Sequence, residues 1–372
     1  MSRPARLTTR VVAAAATLAV SATLLPGPAA RAGAERPRWD TRVFAKVPEP
    51  GFPAYVHKHS NGRVYAGTYT DPQGDRQRSR VFEWTGGGTL LRSWTVPGQD
   101  LDSDRGVQVA NQDARGRLVL LEKSRSRVMT LDTRTGRFRT WATLPDLPTC
   151  SSGEQPCSPN VADNPAIPNY ATWGPGGALF VSDYGQAVIW KISRRTQRPR
   201  LWFASPRLDG SEFGTTGIVF RPGRSDLLIS QMSSTTDGSA PTNGKLFRLA
   251  VRTNGRPGKL STLWESLPGE LPDGFGIARS GRIYLATVGT TQQIVVLTRN
   301  GRELERFPEE PGAGDNGSSI PFDTPSNATF HGTRVLVANQ AFTGNSEHHA
   351  ILDVEVGERG RRSHLPRRAF WR

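Results

Sequence analysis

Short apolar runs alternate with polar or glycine-containing turns along most of the chain, and helical spacing of apolar residues is absent nearly everywhere. One arrangement recurs. A turn leads into a short strand, a glycine turn follows, and a strongly apolar strand comes next. The clearest copies are residues 56–69 (VHKHSNGRVYAGTY), 107–121 (VQVANQDARGRLVLL) and 169–183 (NYATWGPGGALFVSD). Residues 217–230 (GIVFRPGRSDLLIS), 273–287 (DGFGIARSGRIYLAT) and 327–339 (NATFHGTRVLVAN) repeat it. Their turn glycines, Gly62, Gly116, Gly177, Gly223, Gly281 and Gly332, are 54, 61, 46, 58 and 51 residues apart. A further strand pair follows most copies, as at residues 128–133, 188–193, 245–251 and 294–298. Six such units, each of about four strands, predict an all-β, six-bladed β-propeller of four-stranded blades around a central channel. A β-helix or a pair of sandwiches is the rival all-β reading, and needs a shorter period or none.

The first 32 residues break the pattern. Arg3, Arg6 and Arg10 precede an apolar run at residues 11–25, and Ala30 and Ala32 offer small residues for cleavage. That order predicts a signal peptide at 1–32 and a secreted protein. The alternative is a membrane anchor, but the run is shorter than the ~20 residues a span needs. No later stretch approaches that length, so no transmembrane span is expected in the mature chain. The propeller is then assigned to 33–357 and a basic C-terminal tail to 358–372. Net charge is +15, of which the leader supplies four arginines and no acid. Six more arginines lie at 359–372. Such a tail suits contact with anionic surfaces, or is a solvated and poorly ordered end. Basic residues elsewhere are scattered without interleaved aromatics, so nucleic acid is not an expected partner. The only cysteines, Cys150 and Cys157, read as one disulfide stapling a surface loop.

Candidate chemistry comes from the repeat register. Eight residues before the turn glycine stand Gln108, Asn169 and Asp273; Thr216 and Asn327 lie close to that register in units four and six. All carry side-chain oxygens. Gathered about an axis they would suit Ca2+ or another hard divalent cation. The same Pro-Asn and Pro-Asp pairs are also ordinary turn residues.

Residues 168–183 (PNYATWGPGGALFVSD), 215–230 (TTGIVFRPGRSDLLIS) and 271–287 (LPDGFGIARSGRIYLAT) resemble the Pro-Asn, Asn-Gly and Pro-Asp-Gly strands of the senescence-marker-protein/gluconolactonase family. Order and spacing agree across units two to six. The resemblance implies a propeller that holds a divalent cation, often Ca2+, in its channel and hydrolyses lactones or related esters. Carried over residue by residue, it makes Asn169, Thr216 and Asp273 the metal set, with Asn169 and Asp273 catalytic. Thr216 stands for the family's Asn. The family's first ligand, a Glu, falls on Gly51, with Glu49 two residues away. One carboxylate instead of two weakens cation binding. Gln108, Asn327, His57 and His348 are the expected substrate-pocket residues, with His57 and His59 on one strand face. Two functions follow: a secreted calcium-dependent hydrolase of a lactone or related ester, or a non-catalytic extracellular propeller that binds a ligand or protein partner. No Gly-x-Ser-x-Gly elbow or phosphate loop points elsewhere.

Overall fold

A computed structural model describes residues 36–69, 77–103, 105–210, 214–237, 239–342 and 344–371. The expected leader at 1–32 lies outside them. Within the unit Pro37–Arg372 the strands form six four-stranded antiparallel sheets. Blade 1 contains Pro53–Lys58, Val64–Thr68, Arg80–Trp84 and Leu90–Thr95. Blade 2 contains Val107–Gln112, Leu118–Glu122, Arg127–Asp132 and Arg137–Thr143. Blade 3 contains Pro168–Trp173, Leu179–Asp183, Val188–Ile192 and Pro199–Ala204. Blade 4 contains Thr215–Arg221, Asp226–Gln231, Asn243–Val251 and Pro257–Pro268. Blade 5 contains Pro272–Ile277, Ile283–Thr287, Ile294–Leu297 and Glu303–Phe307. Blade 6 contains Pro325–His331, Arg334–Asn339 and Ala350–Glu355, and takes its outer strand, Thr41–Lys46, from the other end of the chain. Each first-named strand packs on the inner strand of the next blade, and blade 6 packs on blade 1, so the ring closes. This is the six-bladed propeller the repeat predicts.

The second strand of each blade is buried along almost its whole length, because neighbouring blades cover both faces. That is why these strands read as unbroken apolar runs rather than alternating ones. The outer strands Leu90–Thr95, Arg137–Thr143 and Glu303–Phe307 are largely exposed, and carry the polar residues. Five of the six turn glycines have φ between 72° and 93°, a region closed to most side chains. In blade 4 Ser225 takes that conformation instead, at φ 48°. The expected disulfide joins Cys150 to Cys157. Among the described residues no helix is long and apolar enough to cross a membrane.

The C-terminal segment is not a solvated tail. It crosses the end of the propeller where the inner strands finish. Gly360 bridges to Ala278, Arg361 N–H donates to Ile277 O at 2.8 Å, and Ala114 N–H donates to Ala369 O at 2.7 Å. Trp371 is 1 % exposed and stacks on Trp141 at a centroid distance of 3.1 Å, beside Trp173. Burying one such ring stabilises the strap by about 2–3 kcal/mol. The aromatic anchor at its tip outweighs the tendency of a run of arginines to stay in water.

Candidate functional site

Six register pairs fix one level of the channel: Pro53 with Thr68, Val107 with Glu122, Pro168 with Asp183, Thr215 with Gln231, Pro272 with Thr287 and Pro325 with Asn339. The next residue of each inner strand is buried: Ala54, Gln108, Asn169, Thr216, Asp273 and Ser326. In five blades the pairing register shifts immediately beyond this level. A second set of residues lies just above it, one after each second strand: Tyr69, Lys123, Tyr184, Met232, Val288 and Gln340. Each donates its N–H to the carbonyl two residues before its own blade's ring residue, at 3.0–3.2 Å.

Gln108, Asn169, Thr216 and Asp273 are therefore brought to one level. Asn327 is not. It stands one residue past the ring, where its Oδ1 accepts from Val56 N–H at 3.4 Å and Ala338 N–H at 3.3 Å, stitching blade 6 to blade 1. Its register place belongs to Ser326, whose hydroxyl donates to Ala54 O at 2.9 Å. The Pro-Ser-Asn sequence imitates the Pro-Asn pair with one residue too many.

Lys123 is the residue that sequence reasoning missed. It sits after the run Leu118–Glu122, whose apolar character drew attention to packing; the only signal was a lysine ending a buried strand. Its Nζ donates to Asn169 Oδ1 at 2.9 Å and also to the Tyr69 hydroxyl. It lies 4.9 Å from the Tyr69 ring centroid. The Arg105 guanidinium donates to the Tyr184 hydroxyl nearby. Burial pulls the Lys123 ammonium down to about 7; the Asp273 charge opposes this and the Arg105 charge adds to it. Burial pushes Asp273 up to about 7, against Lys123, Thr216 and Tyr170, which favour its anion. The Tyr170 hydroxyl donates to Ser326 O at 3.0 Å, and Ser230 donates to Asp273 O at 2.6 Å. Asp273 Oδ1 and Gln108 Oε1 are buried without a hydrogen-bond partner among the described residues.

This donor set does not fit a divalent cation. A hard cation takes six to eight oxygens. Here Asn169 Oδ1 already holds an ammonium, Thr216 Oγ1 is shared with Ser230 Oγ at 3.1 Å, and Asp273 is the one carboxylate of the ring. Among the described residues no three His, Cys, Asp or Glu side chains cluster as a metal would need. Gly51 offers no room for a ligand either. A Cβ there would lie 2.1 Å from His349 Nδ1, and φ is 78°. Glu49 is exposed.

The histidines also fall differently from expectation. His57 and His59 are buried at the opposite end of the channel, near the C-terminal strap, and cannot act on a substrate at Asp273. His348 is at the mouth end, but its Nδ1 is engaged with Asp323 Oδ2 at 2.9 Å. Asp183 caps its strand, accepting from Ile167 N–H at 2.8 Å and Trp190 Nε1 at 2.8 Å.

No family model and no curated protein sequence matches the chain. Solved structures do. Regucalcin of Agrobacterium tumefaciens, described as a calcium-binding protein, is 17 % identical with a TM-score of 0.55, over 87 % of this chain and 98 % of that one. A gluconolactonase of Xanthomonas campestris is 16 % identical with a TM-score of 0.50, over 87 % and 99 %. This chain shares the gluconolactonase and regucalcin propeller fold. Virginiamycin B lyase of Staphylococcus aureus, solved with quinupristin, is similar as well, at 16 % identity and a TM-score of 0.53, over 83 % of this chain and 82 % of that one.

Proposed function

We propose that the protein is an exported hydrolase of a lactone or related ester, and that Lys123 and Asp273 carry the chemistry without calcium. The supporting observation is the buried Lys123 ammonium held on Asn169 Oδ1 at 2.9 Å, close enough to the Asp273 carboxylate for each charge to act on the other, with Asp273 Oδ1 left unbonded among the described residues. The shared fold with a gluconolactonase supports the substrate class. The basic and apolar order of residues 1–32 supports export, as does the disulfide.

In this reading the two groups divide the work. Asp273 accepts a proton from water as its oxygen attacks the substrate carbonyl. Lys123 donates a hydrogen bond to the carbonyl oxygen as it gains negative charge, in a site dry enough for that bond to count. The acyl C–O bond then breaks, and the proton on Asp273 passes to the leaving alkoxide. Asn169 and Tyr69 hold the ammonium in place. A fixed cation meets the electrostatic need that a divalent ion would otherwise meet.

The test is hydrolysis of a lactone panel by the purified mature chain, with and without EDTA. Activity that persists in EDTA and falls about a hundredfold or more in Lys123→Met supports the reading. Activity that requires added Ca2+ overturns it. No turnover with any lactone, alongside tight binding of one, would instead favour the non-catalytic propeller.

A further inference from the structure

The opposite end of the channel holds a cavity of about 750 Å3. The Tyr55 and Tyr170 rings, packed edge to face at 5.0 Å, lie between it and the Asp273 level. Its walls include Tyr55, Phe220, Phe275 and Phe330. Its other side is the strap, from Arg359 to Leu365. No Asp or Glu lines it. Arg221 does, but its charge is spent on Asp226, at 2.7 Å. The remaining arginines, Arg279, Arg359, Arg361 and Arg362, are exposed, and their side chains form no ion pair or hydrogen bond among the described residues. Deeper in, His57 is 8 % exposed, and its Nε2 is buried without a hydrogen-bond partner among the described residues.

These features converge on one ligand chemistry. Four unpaired guanidinium groups at a mouth attract an anion and focus it inward. Guanidinium forks match a pair of oxygens on a carboxylate or a sulfonate. Aromatic walls receive a flat apolar body, and the volume suits a ligand of drug-like size. The orphaned ring nitrogen of His57 waits for a polar group at the inner end. We infer that this cavity is a second binding site, for a compact anion with a planar apolar body such as an aromatic carboxylate or sulfonate. It owes nothing to the chemistry at Asp273.

The probe is 8-anilinonaphthalene-1-sulfonate, followed by fluorescence and calorimetry, against its uncharged relative N-phenyl-1-naphthylamine. The sulfonate is expected to bind once per chain and to weaken with salt. The pair Arg361→Glu and Arg362→Glu should weaken it at least about tenfold. Arg279→Glu, which lies outside the strap, should weaken it in the same direction and guards against a disturbed strap. Arg252→Glu with Arg256→Glu, an equal charge change on an exposed turn of blade 4, should leave it within about twofold. Equal affinity for the uncharged probe, or no response to either cavity variant, would overturn the proposal. So would binding to phosphatidylglycerol vesicles with no sulfonate site, which would make the arginines a surface-docking patch.

Discussion

Lys123 Nζ, from blade 2, donates to Asn169 Oδ1, from blade 3, at 2.9 Å. The oxygen that the Pro-Asn resemblance assigns to a metal is thus already occupied by an amine tethered to the fold. Calcium is then expected neither to bind tightly nor to stabilise the fold. A ligand that binds only the folded state raises the melting midpoint with its concentration. The midpoint should stay fixed from EDTA to millimolar CaCl2; a steady rise with free Ca2+ would show that Lys123 gives way.

The same pair sets the pH dependence. Asp273 must be ionised and Lys123 protonated, and both titrate near 7. The rate of lactone hydrolysis should trace a narrow bell about neutrality, whose limbs belong to the pair and not to one residue. Protonation of Asp273 removes activity on the acid side, and loss of the Lys123 proton removes it on the alkaline side. In Lys123→Met the alkaline limb should vanish from the residual rate. The acid limb should move up, because Asp273 loses the charge that favours its anion.

His57 should cost the fold stability in acid, against the opposite contribution of Asp273, whose raised pKa adds stability as pH falls below about 7. Burial lowers the His57 pKa from 6.5 to about 3, with the neighbouring His59 charge adding to the effect. A depressed folded pKa gives stability that is fully present above pH 6.5 and is lost as pH falls toward 3. Between pH 7 and 4 the loss amounts to about 3 kcal/mol. His57→Gln should remove most of that slope in urea unfolding measured at the two pH values. An unchanged slope would assign the lability elsewhere.

Trp371 should be an anchor out of proportion to its place near the chain end. Trp371→Ala is expected to cost about 3–5 kcal/mol in chemical denaturation, since it empties a site between Trp141 and Trp173. Arg367→Ala, exposed on the same strap, should stay within about 0.5 kcal/mol. Equal effects would mean that the strap's end does not hold the fold.

Gly51 should resist replacement. Gly51→Ala brings a Cβ against His349 at a φ of 78°, and is expected to lower stability by about 1–3 kcal/mol. Adding His349→Ala should recover part of this, so the two changes should couple in a double-mutant cycle. Simple additivity would leave backbone strain as the whole cost. Gly51→Glu should therefore destabilise the blade rather than restore a metal ligand.

Much was legible in the sequence because it was local and repeated. Turn glycines that need positive φ, and strands buried on both faces, leave period and composition signals that need no tertiary knowledge. They gave the six blades, and the offset from each glycine gave Gln108, Asn169 and Asp273. The outer strand of blade 6 left no such signal, since Thr41–Lys46 pairs with residues some 300 positions away. Asn327 was misplaced because a count along the chain cannot see where pairing begins; the Pro325–Asn339 pair decides it. Lys123 was invisible for a related reason. Its chemistry comes from Asn169 and Tyr69 in neighbouring blades, and no spacing within one strand records which side chains meet across the axis. The strap is similar: six arginines forecast a solvated end, and only the space between Trp141 and Trp173 could turn Trp371 inward. The residues by themselves determined the propeller and one ring of oxygens. Which cation sits in that ring, and what closes the far end, was decided by contacts between blades, where burial rather than sequence order sets the energy.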